Sequence, residues 1–339
     1  MNLTSQDFFS QEIGLNLSKE LSNKKILISG GLGLIGLGLL ELISYLNKQF
    51  DSKISTVLTS SSDKALWMAE KSGAVFEFLE GDIVDRIFVQ SLPHADYVIH
   101  AAGYGQPGKF LENPIATLMI NSAGTLELRK KARQGFLFVS TSEVYSGLNH
   151  ENILEHEIGI TNTDHERASY IEAKRFGEAL TLVSDPSLAA IGNVARLALA
   201  YGPGARMDDR RVINELIVKG LKSGKVSLLD QGDRQRTYCY ISDAAEMLLG
   251  ALVFGKGEIY NVGGESSLSI RRLGELISKS LGVEFETPTS TGLTDSSPKN
   301  VSVSNSKITS LIGKEHFVEI EEGLERTVNW YRKLSRHTS

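Results

Sequence analysis

Apolar residues fall in short blocks separated by amphipathic stretches. Six β-rich runs, at 25–29, 54–59, 75–79, 96–100, 135–140 and 190–197, alternate with helical patterns at about 34–49, 63–72, 84–91, 112–133 and 166–184. Strands alternating with helices predict an α/β fold: parallel strands joined by crossover helices, in a doubly wound sheet covered on both faces. Residues 1–23 precede the first strand. Phe8, Phe9, Ile13, Leu15, Leu17 and Leu21 there are spaced like one helical face, which predicts an N-terminal helical extension for packing or oligomerisation. The texture changes after Tyr201-Gly202-Pro203-Gly204. A helix near 210–223, a short strand near 226–229, the polar run Gln231–Arg236 and a helix from about Ser242 follow. The Ser/Thr/Pro-rich stretch 287–306 reads either as an ordered loop at the rim of a site or as a mobile one.

Composition narrows the class. The chain has 339 residues, 41% of them apolar and 23% charged, enough for one large or two modest domains. A formal charge of −5 with no basic stripe argues against a nucleic-acid partner. The single cysteine, Cys239, rules out an intrachain disulfide and any multi-cysteine metal site, and it reads as packing beside Tyr238 and Tyr240. No metal ligand set is expected. No apolar run approaches the ~18–20 residues that span a bilayer. The N-terminus lacks the basic-then-apolar layout of a signal peptide, so no membrane partner and a cytoplasmic location are expected.

The candidate chemistry starts at the first strand. Ile26-Leu27-Ile28 leads into Gly30-Gly31-Leu32-Gly33-Leu34-Ile35-Gly36 and then a helix. Strand, glycine turn and helix start in that order suit a dinucleotide. Gly30 permits the turn, Gly33 lets backbone N–H groups approach a pyrophosphate, Gly36 allows close helix–sheet packing, and the helix N-terminus favours phosphate charge. Leu34 and Ile35 open that helix. Asp82, followed by Ile83, is placed to accept from an adenine amino group, with a helix N-cap as its alternative. Ala101, Ala102 and Gly103 let backbone lie against the cofactor, while His100 reads as structural. The second strand ends Val57-Leu58-Thr59-Ser60-Ser61-Ser62-Asp63-Lys64, without the acid that holds a ribose 2′-hydroxyl. Thr59 and its hydroxyl neighbours, with Lys64, leave NADP as the alternative to NAD, and only Asp63 offers a carboxylate.

Thr141 closes a strand in Ser140-Thr141-Ser142-Glu143-Val144-Tyr145, and Tyr170 and Lys174 lie four apart further on. On a helix that spacing places phenol and ammonium on one face, about 6 Å apart. A phenol near pKa ~10 is a poor base at neutral pH, and a neighbouring Lys⁺ is expected to lower it. Thr141 would hold the reacting oxygen while hydride moves to the cofactor. Glu143 reads either as a solvated strand-end charge or as an acid or base acting one carbon away.

These motifs carry a resemblance. Over residues 24–335 the chain resembles the extended short-chain dehydrogenase/reductase superfamily, in its nucleotide-sugar epimerase/dehydratase branch. Within that branch it is similar to the UDP-glucuronate decarboxylases (UDP-xylose synthases). The shared pattern includes Asn113-Pro114-Ile115-Ala116-Thr117-Leu118, Asn121, Gly124-Thr125, the Ser140–Tyr145 run, Tyr201-Gly202-Pro203, Arg211-Val212 and Gln235–Asp243. The resemblance implies a Rossmann-type dinucleotide-binding domain over 24–190. A smaller, mainly substrate-binding α/β domain would follow over 191–339, with some segments returning to the first. It implies NAD held by Gly30, Gly33, Leu34, Ile35, Thr59, Asp82, Ile83, Ala101, Ala102, Gly103, Asn121, Tyr170 and Lys174. Catalysis falls to Thr141, Glu143, Tyr170 and Lys174, and substrate contacts to Ser142, Arg211 and Arg236, the last on a phosphate or carboxylate. The implied partners are a nucleotide sugar and a second copy of the chain, through helices at about 112–133 and 166–184.

The departures concern the substrate. Ser142-Glu143 stands where dehydratases carry Asp-Glu, and Leu199 stands at the position of an asparagine that contacts the sugar diphosphate. The Arg-rich stretch before the C-terminal helix is reduced to Ser297-Pro298-Lys299-Asn300. The first reading is therefore a decarboxylase-like enzyme working through a transient 4-keto sugar. The second is a 4-epimerase or an NAD(P)H-dependent 4-ketoreductase, in which Glu143 does no chemistry. The third is a non-catalytic NAD(P) sensor, against which an intact Thr141, Tyr170 and Lys174 speak.

Overall fold

The computed structural model describes residues 9–265, 267–288 and 300–336. Part of the 287–306 loop, the Ser297–Lys299 portion of the reduced Arg-rich stretch, and Phe8 lie outside the described residues. Seven parallel strands form the main sheet: β1 (Lys25–Ser29), β2 (Ser55–Ser60), β3 (Glu77–Glu80), β4 (Ala95–His100), β5 (Ala132–Thr141), β6 (Ile191–Leu197) and β10 (Ile259–Val262). Their order is β10-β6-β5-β4-β1-β2-β3. The chain winds outward from β1 to β3, then crosses back to place β4 on the other side of β1. The crevice for a ligand opens at that reversal, beyond the strand C-termini.

The helices follow from burial. α2 (Leu34–Phe50) is apolar along most of its length and packs on α10 (Ile241–Phe254), whose residues from Ile241 to Leu252 are all buried. The extension forms α1 (Gln11–Leu21), capped by the Ser10 hydroxyl, with Ile13, Leu17 and Leu21 buried against α2 and α10. It is anchored electrostatically as well. The Ser10 N–H donates to Glu246 at 2.5 Å, and Lys314 donates to Glu246 (2.7 Å) and Asp243 (2.9 Å), all three side chains nearly without exposure.

The single helix expected over 112–133 is instead broken. α5 (Pro107–Glu112) and α6 (Pro114–Met119) precede a π-helical turn at Ile120–Gly124 and then α7 (Thr125–Arg129), after which β5 starts at Ala132. Pro114 at the first position of α6 separates it from α5, because a proline cannot donate a helical N–H. The π turn adds a residue to the helical spacing.

A second sheet lies beyond the first. It contains β7 (Leu199–Tyr201), β9 (Gln235–Tyr240), β11 (Ser267–Ser269) and β13 (Asn300–Val301), with β9 central. β8 (Lys225–Ser227) pairs with β12 (Glu284–Glu286). The expected helix near 210–223 is α9 (Val212–Ser223). Among the described residues, no helix is long and apolar enough to cross a membrane. No cluster of three or more His, Cys, Asp or Glu suited to a metal occurs among them either. Cys239 is buried between the tyrosines, and burial pushes its thiol well up.

Candidate active site

β1 delivers the glycine loop to the reversal point. Gly30 has φ +71°, and a side chain there would put its Cβ 2.7 Å from the Ala101 carbonyl oxygen and from Ala102. Only glycine lets the two turns approach so closely. A Cβ on Gly36 would lie 2.4 Å from the Gly31 carbonyl oxygen, so the start of α2 closes onto the loop. Gly33 precedes the first helical residue, leaving the free N–H groups of α2 directed at the crevice.

Above this loop lies a cleft of about 370 Å³. Gly30, Gly33, Leu34, Ile35, Thr59, Asp82, Ile83, Ala101, Ala102 and Gly103 line it, with Ser60, Ser61, Ser62, Gln106, Lys109, Asp209 and Arg211. The residues fit a dinucleotide. The shape is a glycine-walled groove over a helix N-terminus, and the buried Thr59 hydroxyl, which lines it, has no hydrogen-bond partner among the described residues. Asp82 lines the cleft with its Oδ1 accepting from the Val84 N–H at 2.9 Å. The N-cap of α4 (Arg86–Ser91) is Asp85, not Asp82. Asn121 stays out of the lining. Its Nδ2 donates to the Thr117 carbonyl at 2.8 Å, and its buried amide oxygen has no partner among the described residues.

The expected acid–base group assembles at the C-terminal end of β5. Thr141 ends the strand, and its hydroxyl accepts from the Glu143 N–H at 3.2 Å, turning the chain into a 3₁₀ turn at Ser142–Tyr145. Tyr170 and Lys174 sit on α8 (Ala168–Leu182), both buried. The Thr141 hydroxyl lies close enough to the Tyr170 phenol to favour its ionised form. Lys174 Nζ donates to the Val139 carbonyl at 2.8 Å and lies 4.8 Å from the centre of the Phe138 ring.

Electrostatics correct one expectation. The Tyr170 phenol is pushed up to about 12, first by burial and then by the Glu143 carboxylate. Thr141, Arg167 and Arg211 oppose that rise. Lys174 is itself pulled down to about 8 by burial, with Glu178 opposing. Burial of the phenol therefore outweighs the expected lowering by the Lys174 ammonium one turn along α8. His100 is structural, as expected. It is fully buried, held by Ser29 Oγ at 2.8 Å and the Ile120 carbonyl at 3.2 Å, and burial pulls it down to about 3.

A polar network supports this floor. Ser140 Oγ donates to Glu178, which Arg196 grips with Nη2 at 2.7 Å and Nε at 3.0 Å. Arg196 also donates to the Tyr145 hydroxyl at 2.9 Å, and that hydroxyl donates to Asn261 at 2.6 Å. β5, β6, β10 and α8 are thereby tied together beneath the site, each group satisfied by the next.

Three residues escaped the sequence reading. Arg167, one helical turn before Tyr170, forms a two-pronged ion pair with Glu143, its Nε at 2.9 Å from Oε2. Phe110 stacks flat on Tyr170, with centroids 4.4 Å apart and planes 5° apart. Asp209 holds Arg211 through two contacts of 3.1 Å from its Nε. The turn-length spacing of Arg167 before Tyr170 was the available signal. Ser142 follows Thr141 and is half-buried. Arg236 does not line the cleft. It lies on β9, whose backbone pairs on both sides, and its Nη1 donates to the Gln235 carbonyl at 2.7 Å. Leu199 packs its side chain against the main core.

Comparison with known proteins agrees with this fold. The model of the NAD dependent epimerase/dehydratase family matches residues 26–263. A UDP-glucuronic acid decarboxylase 1 of Xenopus tropicalis is 27% identical over 322 residues, covering 94% of this chain and 74% of its own length. A UDP-glucuronic acid decarboxylase 6 of Arabidopsis thaliana is 27% identical over 307 residues, covering 89% and 87%. Among solved structures, a dTDP-glucose 4,6-dehydratase from Streptomyces venezuelae, crystallised with NAD, superposes with TM-score 0.78 at 22% identity, over 91% of this chain and 97% of its own. A UDP-glucose 4-epimerase of Thermotoga maritima, crystallised with UDP-glucose, gives TM-score 0.78 at 22% identity over 92% and 99%.

Proposed function

The chain belongs to the NAD dependent epimerase/dehydratase family, and from that premise we propose that it modifies a nucleotide sugar through a transient 4-keto intermediate, in the manner of a UDP-glucuronate decarboxylase. The observation that carries this reading is the grouping of Tyr170, Thr141 and Glu143 at the end of β5, tied together through Phe110 and Arg167, beside a cleft walled by the glycine loop. On this reading residues 24–190, with β10 returning from later in the chain, hold the cofactor, and 191–339 mainly hold the substrate.

Thr141 and Tyr170 bind the C4 hydroxyl, and the phenolate takes its proton. NAD, when held over Gly30, Gly33, Leu34 and Ile35 in the cleft, would supply a reversible hydride acceptor for C4 and a positive charge beside the phenol. With C4 as a ketone, a C6 carboxylate is a β-keto acid. The C5–C6 bond breaks, carbon dioxide leaves, and the electron pair moves through C5 onto the C4 oxygen, which Thr141 and Tyr170 stabilise. A proton returned to C5 restores the ketone, and Glu143, two residues from Thr141 and close enough to act on the Tyr170 phenol, is the carboxyl group assigned to that task. Arg211, fixed by Asp209 at the cleft wall, suits an anionic group of the substrate. Asn121 and Arg236 remain candidates for cofactor and substrate contacts respectively.

One observation favours a 4-epimerase instead: Glu143 is already occupied by Arg167. Incubating the purified protein with UDP-glucuronate and a panel of neutral UDP-sugars separates the two. Mass spectrometry should find a product lighter by carbon dioxide from UDP-glucuronate alone. An isobaric product from a neutral sugar, with UDP-glucuronate unchanged, would overturn the decarboxylase reading in favour of epimerisation. We also propose a homodimer through α6 and α8, which pack together and expose Ile115, Leu118, Met119 and Phe176. Light scattering at the mass of one chain would refute it.

A further inference from the structure

Arg167, to which none of the motifs points, joins several parts of the site. Its guanidinium, 5% exposed as a residue, grips both oxygens of Glu143. The guanidinium carbon also lies 5.0 Å from the centre of the Phe110 ring, and Phe110 stacks flat against Tyr170. Its carbonyl accepts the Tyr170 and Ile171 N–H groups at 3.1 Å each, closing the first turn of α8. One residue therefore contacts the carboxylate and backs the ring that backs the phenol with its side chain, while its main-chain carbonyl holds the backbone from which the phenol projects.

We propose that Arg167 is a positioning residue for Tyr170, clamping Glu143 with its fork and fixing the plane of the phenol through Phe110. A planar fork that stacks and pairs at once is a guanidinium property that an ammonium lacks. The charges facing the phenol are Glu143 from the 3₁₀ turn, Arg167 at the head of α8, and Arg211 with its partner Asp209 before α9, with Thr141 contributing a hydroxyl. Lys174 lies one turn along α8, and Lys109 of α5 lines the neighbouring cleft. Glu143 opposes phenolate formation, while Arg167 favours it. Removing Arg167 deletes a favourable charge and also unmasks an unfavourable one. The two effects have the same sign.

The inference rests on Tyr170 being the proton acceptor, so its test reads the phenol directly and does not need turnover. The NAD-loaded protein is titrated by tyrosinate absorbance, with Tyr170→Phe subtracted as the reference. Arg167→Met should move the Tyr170 titration up by about one pH unit, a tenfold loss of phenolate at a given pH. Adding Glu143→Gln to that variant should return most of the shift, and Glu143→Gln alone should move the titration down. Arg167→Lys should restore the titration but leave hydride transfer to NAD, followed in a single turnover, several-fold slow. An unmoved titration in Arg167→Met, or equal shifts in the single and double variants, would overturn the proposal. If Arg167→Met does not fold, the Glu143→Gln and Arg167→Lys results decide: an unmoved titration in the first, or a full hydride-transfer rate in the second, overturns it.

Discussion

His100 ties the stability of this protein to mild acid. The ring is wholly enclosed at the end of β4, between Ser29 Oγ on one nitrogen and the Ile120 carbonyl on the other, with Phe138 against it at 5.5 Å. Nε2 donates to the carbonyl and Nδ1 accepts from the serine, which is the bonding of a neutral imidazole. Burial first, then the charge of Lys174, pulls it from 6.5 to about 3. In the unfolded chain the ring takes up a proton below its ordinary value, whereas the folded ring does not. Its share of stability is therefore complete above about pH 6.5 and falls away as pH drops toward 3. The slope is about 1.36 kcal/mol per unit, so the loss between pH 7 and pH 5 amounts to about 2 kcal/mol. Urea unfolding at both pH values measures it, with His100→Asn as comparator. Asparagine keeps an acceptor for Ser29 and has nothing to protonate, so its cost is constant with pH. The native chain should lose about 2 kcal/mol more than the variant on going to pH 5. Parallel losses in the two proteins would refute the reasoning.

Tyr170→Phe should lower turnover by about 10²–10⁴-fold while NAD affinity stays within a few-fold, as read by steady-state rates and calorimetry; near-normal turnover would defeat the mechanism. Glu143→Gln should leave formation of reduced cofactor and release of carbon dioxide in a single turnover while blocking the C5 protonation that must precede return of the hydride; normal completion of the cycle would remove Glu143 from the chemistry. Gly30→Ala forces a Cβ to within 2.7 Å of the Ala101 carbonyl oxygen at φ +71°, so NAD affinity should fall at least tenfold, by roughly 1.4 kcal/mol or more. Lys314→Met strands Asp243 and Glu246 in the interior and should cost about 3–5 kcal/mol in chemical unfolding, with partial recovery when both acids become amides.

Much of the first sheet was legible because a parallel strand buried on both faces writes a continuous apolar run, as Ile26-Leu27-Ile28 and Tyr97-Val98-Ile99 do. The glycine loop and the Tyr170–Lys174 spacing were legible for a similar reason, since each is a local consequence of backbone geometry. The second sheet was not. β11 and β13 have three and two residues, too short for any period to emerge. Arg167 pairs with Glu143 across 24 residues and Phe110 meets Tyr170 across 60, contacts that exist only once α5, α8 and β5 have been brought together. The phenol's resistance to ionisation was equally hidden, because burial sets it and burial is a property of the folded neighbourhood.

The π turn at Ile120–Gly124 does more than interrupt a helix. Its widened coil turns the Ile120 carbonyl toward the His100 ring. It also resets the angular phase, so that Ile115 and Met119 face outward upstream while Thr125 and Leu128 face inward downstream. Deleting one residue there would restore ordinary winding, swing everything after it by about 100°, and carry the outward apolar stripe into the sheet. A single surplus residue thus keeps a would-be contact face and a cofactor floor in step, and a chain lacking it would need to rebuild both together.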